Sequence, residues 1–343
     1  MKPVIGITMG DPAGIGPEIA VKALARKEIY ERSLPVIIGD LEAIKEANEF
    51  TGLHLTIHEI ENVGQAKGEH GTLDLINLKM LAPGSWQYKQ VSALAGKAAF
   101  SYIEKAIHLA LQGAIQAVVT GPINKAALNL AGYHYAGHTE IFARLTGTKD
   151  YAMMLASKVM RVVHVTTHVS MREACDLITK DRVYTVIKLA YNAMKMLGIA
   201  DPRIAVAGLN PHCSEDGLFG DEEAKGITPA IRKAKEEGIN VEGPVPPDTV
   251  FVKALAGQYD VVVVMYHDQG HIPVKLTGFK LDAATNKFTS VSGVNCTLGL
   301  PIIRTSVDHG TAFGKAGEGR ANEESLVDAI NMAVQMARSR GQE

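Results

Sequence analysis

Along the chain, short runs of β-branched and apolar residues alternate with longer stretches in which apolar residues recur every three or four positions. The runs Val4–Thr8, Pro35–Gly39, Ala117–Gly121, Arg161–Thr167, Arg203–Asn210 and Asp260–His267 place apolar residues on both sides of a pleat. They predict strands buried on both faces. The stretches Ala93–Gln112, Asp181–Leu197 and Glu222–Glu237 carry a helical apolar stripe. This alternation predicts an α/β protein with a mostly parallel sheet. A rigid loop or hinge is predicted for the Gly243–Thr249 run GPVPPDT.

Several predicted strands end directly in small or polar residues: Thr8 to Asp11, Thr120 to Pro122, Thr166 to His168, Asn210 to His212, and Tyr266 to Asp268. One such ending is ordinary turn chemistry. Five of them point to a ligand site, because ligands of open α/β sheets collect at the carboxyl ends of strands.

With 343 residues the chain is long enough for about two domains. Hydrophobic residues at 46% and charged residues at 21% fit a folded globular protein, and no apolar run reaches the length of a membrane helix. A net charge of −2 gives no electrostatic footprint for nucleic acid or an anionic membrane, so any anion must be met by a local cluster. Cys175, Cys213 and Cys296 are odd in number and far apart, without a CxxC pattern, which argues against a disulfide framework. The amino terminus lacks the apolar centre of a secretory signal, and a cytoplasmic protein is expected.

Three histidines, His168, His212 and His267, each follow a predicted buried strand. Three neutral imidazoles suit a divalent transition metal and leave coordination positions open, although any one of them read alone is a turn residue. Asp268, beside His267, is open to three roles: holding the imidazole, acting as a base, or joining the ligands. Gly137–Glu140, GHTE, offers a histidine, a hydroxyl and a carboxylate, which either hold a small acid or begin a helix. Lys275, Asn295 and Arg304 form a third group around the LGLP segment, suited to a phosphate. Gly10, Gly14 and Gly16 of GDPAGIGPE do not spell the GxGxxG dinucleotide fingerprint, and no GxxxxGK[ST] loop occurs. These glycines fit either close packing of two loops or approach of a ligand.

Together, GDPAGIGPE, TGPINK, GHTE, TTH, GLNPH, YHDQG, GVN and LGLPIIRTSVDHGTA resemble, in order, the 4-hydroxythreonine-4-phosphate dehydrogenase (PdxA-like) family. The resemblance implies an isocitrate/isopropylmalate dehydrogenase-like two-domain fold with an active-site cleft and a homodimer. The first domain is expected at 1–125 plus 297–343 and the second at 126–296. His168, His212 and His267 are implied as ligands of one divalent ion (Zn, Mg, Mn or Co), the last reaching into the site of a second subunit. His138 and Thr139 are implied on the substrate, with Lys275, Asn295 and Arg304 on its phosphate or carboxylate end. Asp248 and Asp268 are implied in proton transfer. The loop Asp308, His309, Gly310, Thr311 and Ala312 resembles the adenine-side loop of isopropylmalate dehydrogenases, so NAD is the implied cofactor, with NADP left open.

The implied reaction is oxidation of a hydroxyl followed by loss of carbon dioxide from the resulting β-keto acid. Two departures from the biosynthetic pattern bear on the substrate: His271-Ile272-Pro273 after YHDQG, and the inserted segment at 280–292, expected as a hairpin or flap. The insertion is expected to reshape the pocket, and the GHIP segment resembles the family's sugar-acid paralogues, which implies 4-phospho-D-threonate or 4-phospho-D-erythronate over 4-phosphohydroxy-L-threonine, the substrate of pyridoxal phosphate biosynthesis. Outside the family, a three-histidine metal hydrolase or lyase is the competing reading.

Overall fold

The computed structural model describes residues 2–282, 287–291 and 293–341. In chain order the strands are β1 (Val4–Thr8), β2 (Leu34–Gly39), β3 (Thr56–Glu59), β4 (Thr72–Asn77), β5 (Ala117–Thr120), β6 (Ala152–Ala156) and β7 (Arg161–His164). There follow β8 (Ile204–Ala207), β9 (Val241–Val245), β10 (Val261–Val264), β11 (Phe279–Asp282), β12 (Lys287–Val291), β13 (Val294–Leu298) and β14 (Ile303–Val307). The chain divides into two compact units, Met1–Thr148 with Leu300–Gly341, and Lys149–Gly299.

In the first unit the strands lie in the order β3-β4-β2-β1-β5-β14, all pairs parallel. The helix Ala93–Leu111 packs on β1, β2 and β5, and the helix Glu324–Arg340 packs on β14 and β5. That covering is why VIGIT and AVVT read as unbroken apolar runs: Ile5, Ile7, Val118 and Val119 are wholly buried. In the second unit the order is β13-β6-β7-β10-β8-β9, with β6 antiparallel to both its neighbours and the other pairs parallel. Its core gathers Leu155, Val162, Ala205, Val262 and Val264 with Tyr259 and Val274.

Three expectations shift. The segment 126–148 groups with the first unit, because Tyr133 stacks on Phe100 of the helix Ala93–Leu111 with ring centroids 3.8 Å apart. Residues 297–299 remain with the second unit, since Thr297 and Leu298 complete the β13 ladder with β6. The GPVPPDT run is not loop throughout: Gly243 to Val245 belong to β9, and Val245 pairs with Ala207 of β8 after a break in register. No helix among the described residues is long and apolar enough to cross a membrane.

Candidate functional site

In the first unit β1, β5 and β14 are adjacent and parallel, so Thr8, Thr120 and Ser306 stand side by side at their carboxyl ends. Arg304, on β14, is only 2% exposed, and its guanidinium donates to Thr120 Oγ1 at 2.8 Å and lies 5.6 Å from the centre of the Phe142 ring. Arg304 therefore does not sit on a solvated face. His138 is the first residue of the helix His138–Thr146, capped by Gly137, and Thr139 and Glu140 begin its first turn. Burial, together with the charges of Arg304 and Lys125, holds the His138 imidazole well below its ordinary pKa, so the ring is neutral. Its Nε2 is buried and makes no hydrogen bond among the described residues. A neutral ring beside two cations leaves a local field that favours an anion, which is the chemistry expected for the acid end of a substrate.

The glycines of GDPAGIGPE serve close packing of chain segments. A side chain on Gly14 would meet Thr311 at 2.8 Å, and the neighbouring Ile15 N–H donates to the Thr311 carbonyl at 3.0 Å. Of the two uses the sequence left open, the packing of two loops accounts for Gly14. Asp11, in the same motif, is fully buried; Oδ1 accepts from Ala13 N–H at 2.8 Å, while Oδ2 has no hydrogen bond among the described residues. Burial pushes its carboxyl up from 3.8 to about 6, against the pull of the Ala13 bond.

The folded protein therefore binds a proton at Asp11 that the unfolded chain releases, and stability falls as pH rises through this window. The penalty is absent below pH 3.8 and complete above about 6, where it amounts to about 3 kcal/mol. D11N is expected to gain up to about 3 kcal/mol in urea unfolding at pH 7.5 and almost nothing at pH 3.5. An equal gain at both pH values would refute this account.

The loop after β14 carries the expected cofactor residues Asp308, His309, Gly310, Thr311 and Ala312. Asp308 N–H donates to Ser325 Oγ at 3.3 Å, and Ala312 sits in the left-handed region at φ 44°. His309 Nδ1–H donates to the Gly310 carbonyl at 3.0 Å, and burial lowers the pKa of the ring. Its buried Nε2 is then an acceptor with no hydrogen bond among the described residues, a position that suits an amine-bearing heterocycle.

In the second unit, β7, β10 and β8 are adjacent and parallel, so the segments bearing His168, His267 and His212 leave neighbouring strand ends. His267 opens the helix His267–Gly278. Its Nδ1 contacts Asp268 Oδ1 at 2.6 Å, which leaves Nε2 as the free lone pair, and its ring lies 5.8 Å from that of His168. Asp268 is exposed, and this bond holds its carboxyl below the usual range.

Two further histidines support this arrangement. His164 is fully buried; Nδ1–H donates to the Met153 carbonyl at 3.1 Å, so Nε2 must accept from His271 Nδ1–H at 3.1 Å. The same His271 N–H faces the His267 carbonyl at 3.0 Å, and the His271 and His267 rings stack 3.7 Å apart. Burial first, then neighbouring histidine charge, lowers His164 to about 3 and His271 to about 4, so both are neutral at neutral pH. Among the described residues, no three His, Cys, Asp or Glu side chains converge as a metal site within the chain.

His212 lies in a tight turn after β8 in which five consecutive residues are left-handed: His212, Cys213, Ser214, Glu215 and Asp216, with φ from 41° to 71°. Each costs an L-residue about 1 kcal/mol. Glu223, 4% exposed and at the start of a single π-helical turn, faces this loop. Its Oε1 accepts from Leu209 N–H at 2.8 Å and Asn210 N–H at 2.7 Å, and its Oε2 accepts from Asn210 Nδ2 at 2.9 Å and from Ser214 Oγ. Burial would raise this carboxyl, but the bonds from Ser214 and Asn210 outweigh it and hold Glu223 below its ordinary pKa. Asp248 is exposed just beyond β9, and its charge reaches Cys213 beside His212; burial and the Glu223 and Asp248 charges push that thiol up to about 11.

Lys275 lies on the same helix as His267, with Nζ 5.8 Å from the centre of the Phe279 ring, and Asn295 lies on β13 opposite Leu155. They belong to the second unit and Arg304 to the first. In the expected flap, β11 and β12 pair antiparallel; residues 283–286 and 292 lie outside the described residues. Sequence reasoning passed over the roles of His164 and Glu223. His271 was visible only as a departure from a motif.

Residues 31–333 match the family model described as pyridoxal phosphate biosynthetic protein PdxA. A protein of Symbiobacterium thermophilum, provisionally named D-threonate 4-phosphate dehydrogenase, is 49% identical over 336 residues, 98% of this chain and 97% of its own. The crystal structure of a 4-hydroxythreonine-4-phosphate dehydrogenase from Burkholderia phymatum superposes with a TM-score of 0.84 at 44% identity, covering 98% of each chain. A β-decarboxylating dehydrogenase from Thermococcus kodakarensis shares the fold at 14% identity, with a TM-score of 0.51 over 97% of this chain and 82% of its own.

Proposed function

Because this chain belongs to the family of the pyridoxal phosphate biosynthetic protein PdxA, a family of dehydrogenases, we propose that it catalyses metal- and NAD-dependent oxidative decarboxylation of 4-phospho-D-threonate or 4-phospho-D-erythronate. The observation that carries the chemistry is the set of histidines following three adjacent parallel strands: His168, His267 and His212. The name borne by the Symbiobacterium relative supports the phosphorylated hydroxy acid over 4-phosphohydroxy-L-threonine.

The donor set fits a divalent ion (Zn, Mg, Mn or Co), held by His168 and His212 with His267 supplied by a second copy of the chain. The buried acceptor Nε2 of His309 fits the adenine amine of NAD. Bound, these two groups supply a Lewis acid for the carbinol oxygen and an acceptor for its hydride.

The chain's own residues do the rest. Arg304 binds the phosphate or carboxylate end, a role that the family resemblance also gives to Lys275 and Asn295. His138 offers its neutral Nε2, and Thr139 its hydroxyl, to the substrate. Asp248 takes the hydroxyl proton as hydride leaves, and Asp268 holds the His267 tautomer. The β-keto acid so formed loses its carboxylate as carbon dioxide, and reprotonation yields a three-carbon keto phosphate. A homodimer is supported by the helix His267–Gly278, which exposes Ile272 at 63% and Leu276 at 79% one turn apart. Three free cysteines support a cytoplasmic setting.

NADH absorbance measured with 4-phospho-D-threonate, 4-phospho-D-erythronate and 4-phosphohydroxy-L-threonine tests the reading. Turnover of the hydroxy acids is expected to exceed that of the amino acid by about tenfold, to stop with a chelator and to return with added metal. No NADH from any of the three would sink the proposal, and preference for the amino acid would select the biosynthetic reaction.

A further inference from the structure

We propose that Glu223 is a positioning residue for His212: it clamps the left-handed turn that aims this imidazole, and so sets metal affinity without touching the metal. The inference rests on the reading of His212 as a metal ligand. Five consecutive non-glycine residues at positive φ do not hold themselves there, and such strain persists only where the surroundings over-determine it. The turn has backbone bonds of its own, from Cys213 N–H to the Asn210 carbonyl at 3.1 Å and from Phe219 N–H to the Ser214 carbonyl at 3.1 Å, and one side chain adds the largest set of bonds to it. The Glu223 carboxylate collects four hydrogen bonds from the loop, two from backbone N–H groups at Leu209 and Asn210 ahead of the turn, and two from the side chains of Asn210 and Ser214 on either side of His212.

The clamp is anchored to something rigid. Glu223 opens a π-helical turn that runs directly into the helix Thr228–Glu236, and that helix packs on β9 beside β8, the strand the loop leaves. A π-turn shifts side chains out of α-helical register and is common where a helix serves a site. The outcome is a carboxylate fixed to the scaffold on one side and to both shoulders of the His212 turn on the other. Residues that orient a metal ligand in this way commonly govern affinity by about 10- to 100-fold.

The test is a cobalt(II) titration of the purified full chain, read by visible d–d absorption, with circular dichroism and thermal melting run in parallel. E223Q is expected to weaken cobalt binding by about 10- to 100-fold with an unchanged circular dichroism spectrum. Glycine adopts the left-handed backbone without a Cβ clash, so adding E215G, at an exposed position with φ 41°, is expected to recover about fivefold. Unchanged cobalt affinity in E223Q overturns the proposal, as does a loss that E215G fails to relieve. If E223Q does not fold, S214A removes one of the four bonds and is expected to weaken binding by up to about tenfold; no change there also overturns it. H212N separates the two levels: if it binds cobalt as tightly as the native chain, His212 is not a ligand and both readings fall, whereas loss in H212N with none in E223Q removes only the clamp.

Discussion

In H212N, NADH formation from 4-phospho-D-threonate is expected to fall by at least about three orders of magnitude, with an unchanged thermal midpoint. Removing a Lewis acid from the carbinol oxygen forfeits several kcal/mol of transition-state stabilisation, and about 4 kcal/mol corresponds to a factor of about a thousand. Asparagine is the informative replacement because His212 sits at φ 52°, where asparagine is among the few side chains well tolerated. The residue is exposed at a strand end, so the core loses nothing. A variant that keeps a tenth of native activity after chelation and metal reconstitution would remove His212 from the ligand set. One that unfolds would make the residue a structural turn former.

The fold was legible wherever burial made the pattern simple. Strands β5 and β10 sit between two neighbours each and under helices, so AVVT and VVVV are unbroken apolar runs. Strand β3 lies at the edge of its sheet with the half-exposed sequence TIHE, and β6 is AMMLA, with no β-branched residue at all; neither announces itself. Strand ends were overrun for a related reason. Val165 and Thr166 look like strand and still donate to the Val264 and Met265 carbonyls, although β7 closes at His164.

The candidate site was legible in its chain-local part. His168, His212 and His267 show themselves because each follows a strand, and a parallel sheet delivers neighbouring strand ends to one edge. Their supports are tertiary. His271 reaches His164 across more than a hundred residues, and Glu223 meets Asn210 from within a stretch that reads as ordinary helix. A side-chain hydrogen bond of this kind has no period and no fixed spacing, so only the folded chain displays it. The domain boundary failed similarly: Lys125 ends a strand-loop motif, but the stack of Phe100 on Tyr133 keeps His138 with the first unit.

The second large effect is expected at Arg304. R304K keeps the charge but replaces a planar fork by a single ammonium, losing the bond to Thr120 and the geometry that matches two phosphate oxygens at once. Changing one member of a buried, hydrogen-bonded charge pair costs about 3 kcal/mol, and kcat/KM for 4-phospho-D-threonate is expected to fall by about a hundredfold. The comparison that gives this meaning is D-threonate without its phosphate. If Arg304 reads the phosphate, R304K turns over the unphosphorylated acid as the native enzyme does, and the preference for the phosphorylated substrate narrows by the same hundredfold. If it reads the carboxylate, both substrates lose equally and their ratio stays fixed. His138 supplies a check that does not depend on turnover. Arg304 and Lys125 contribute to its depressed pKa, so exchanging Arg304 for the neutral methionine should move the His138 imidazole upward in an NMR titration, while R304K should leave it near its native value. A His138 that titrates identically in both variants would show that burial alone sets its charge state, and the cationic field inferred around the substrate's acid end would have to be abandoned.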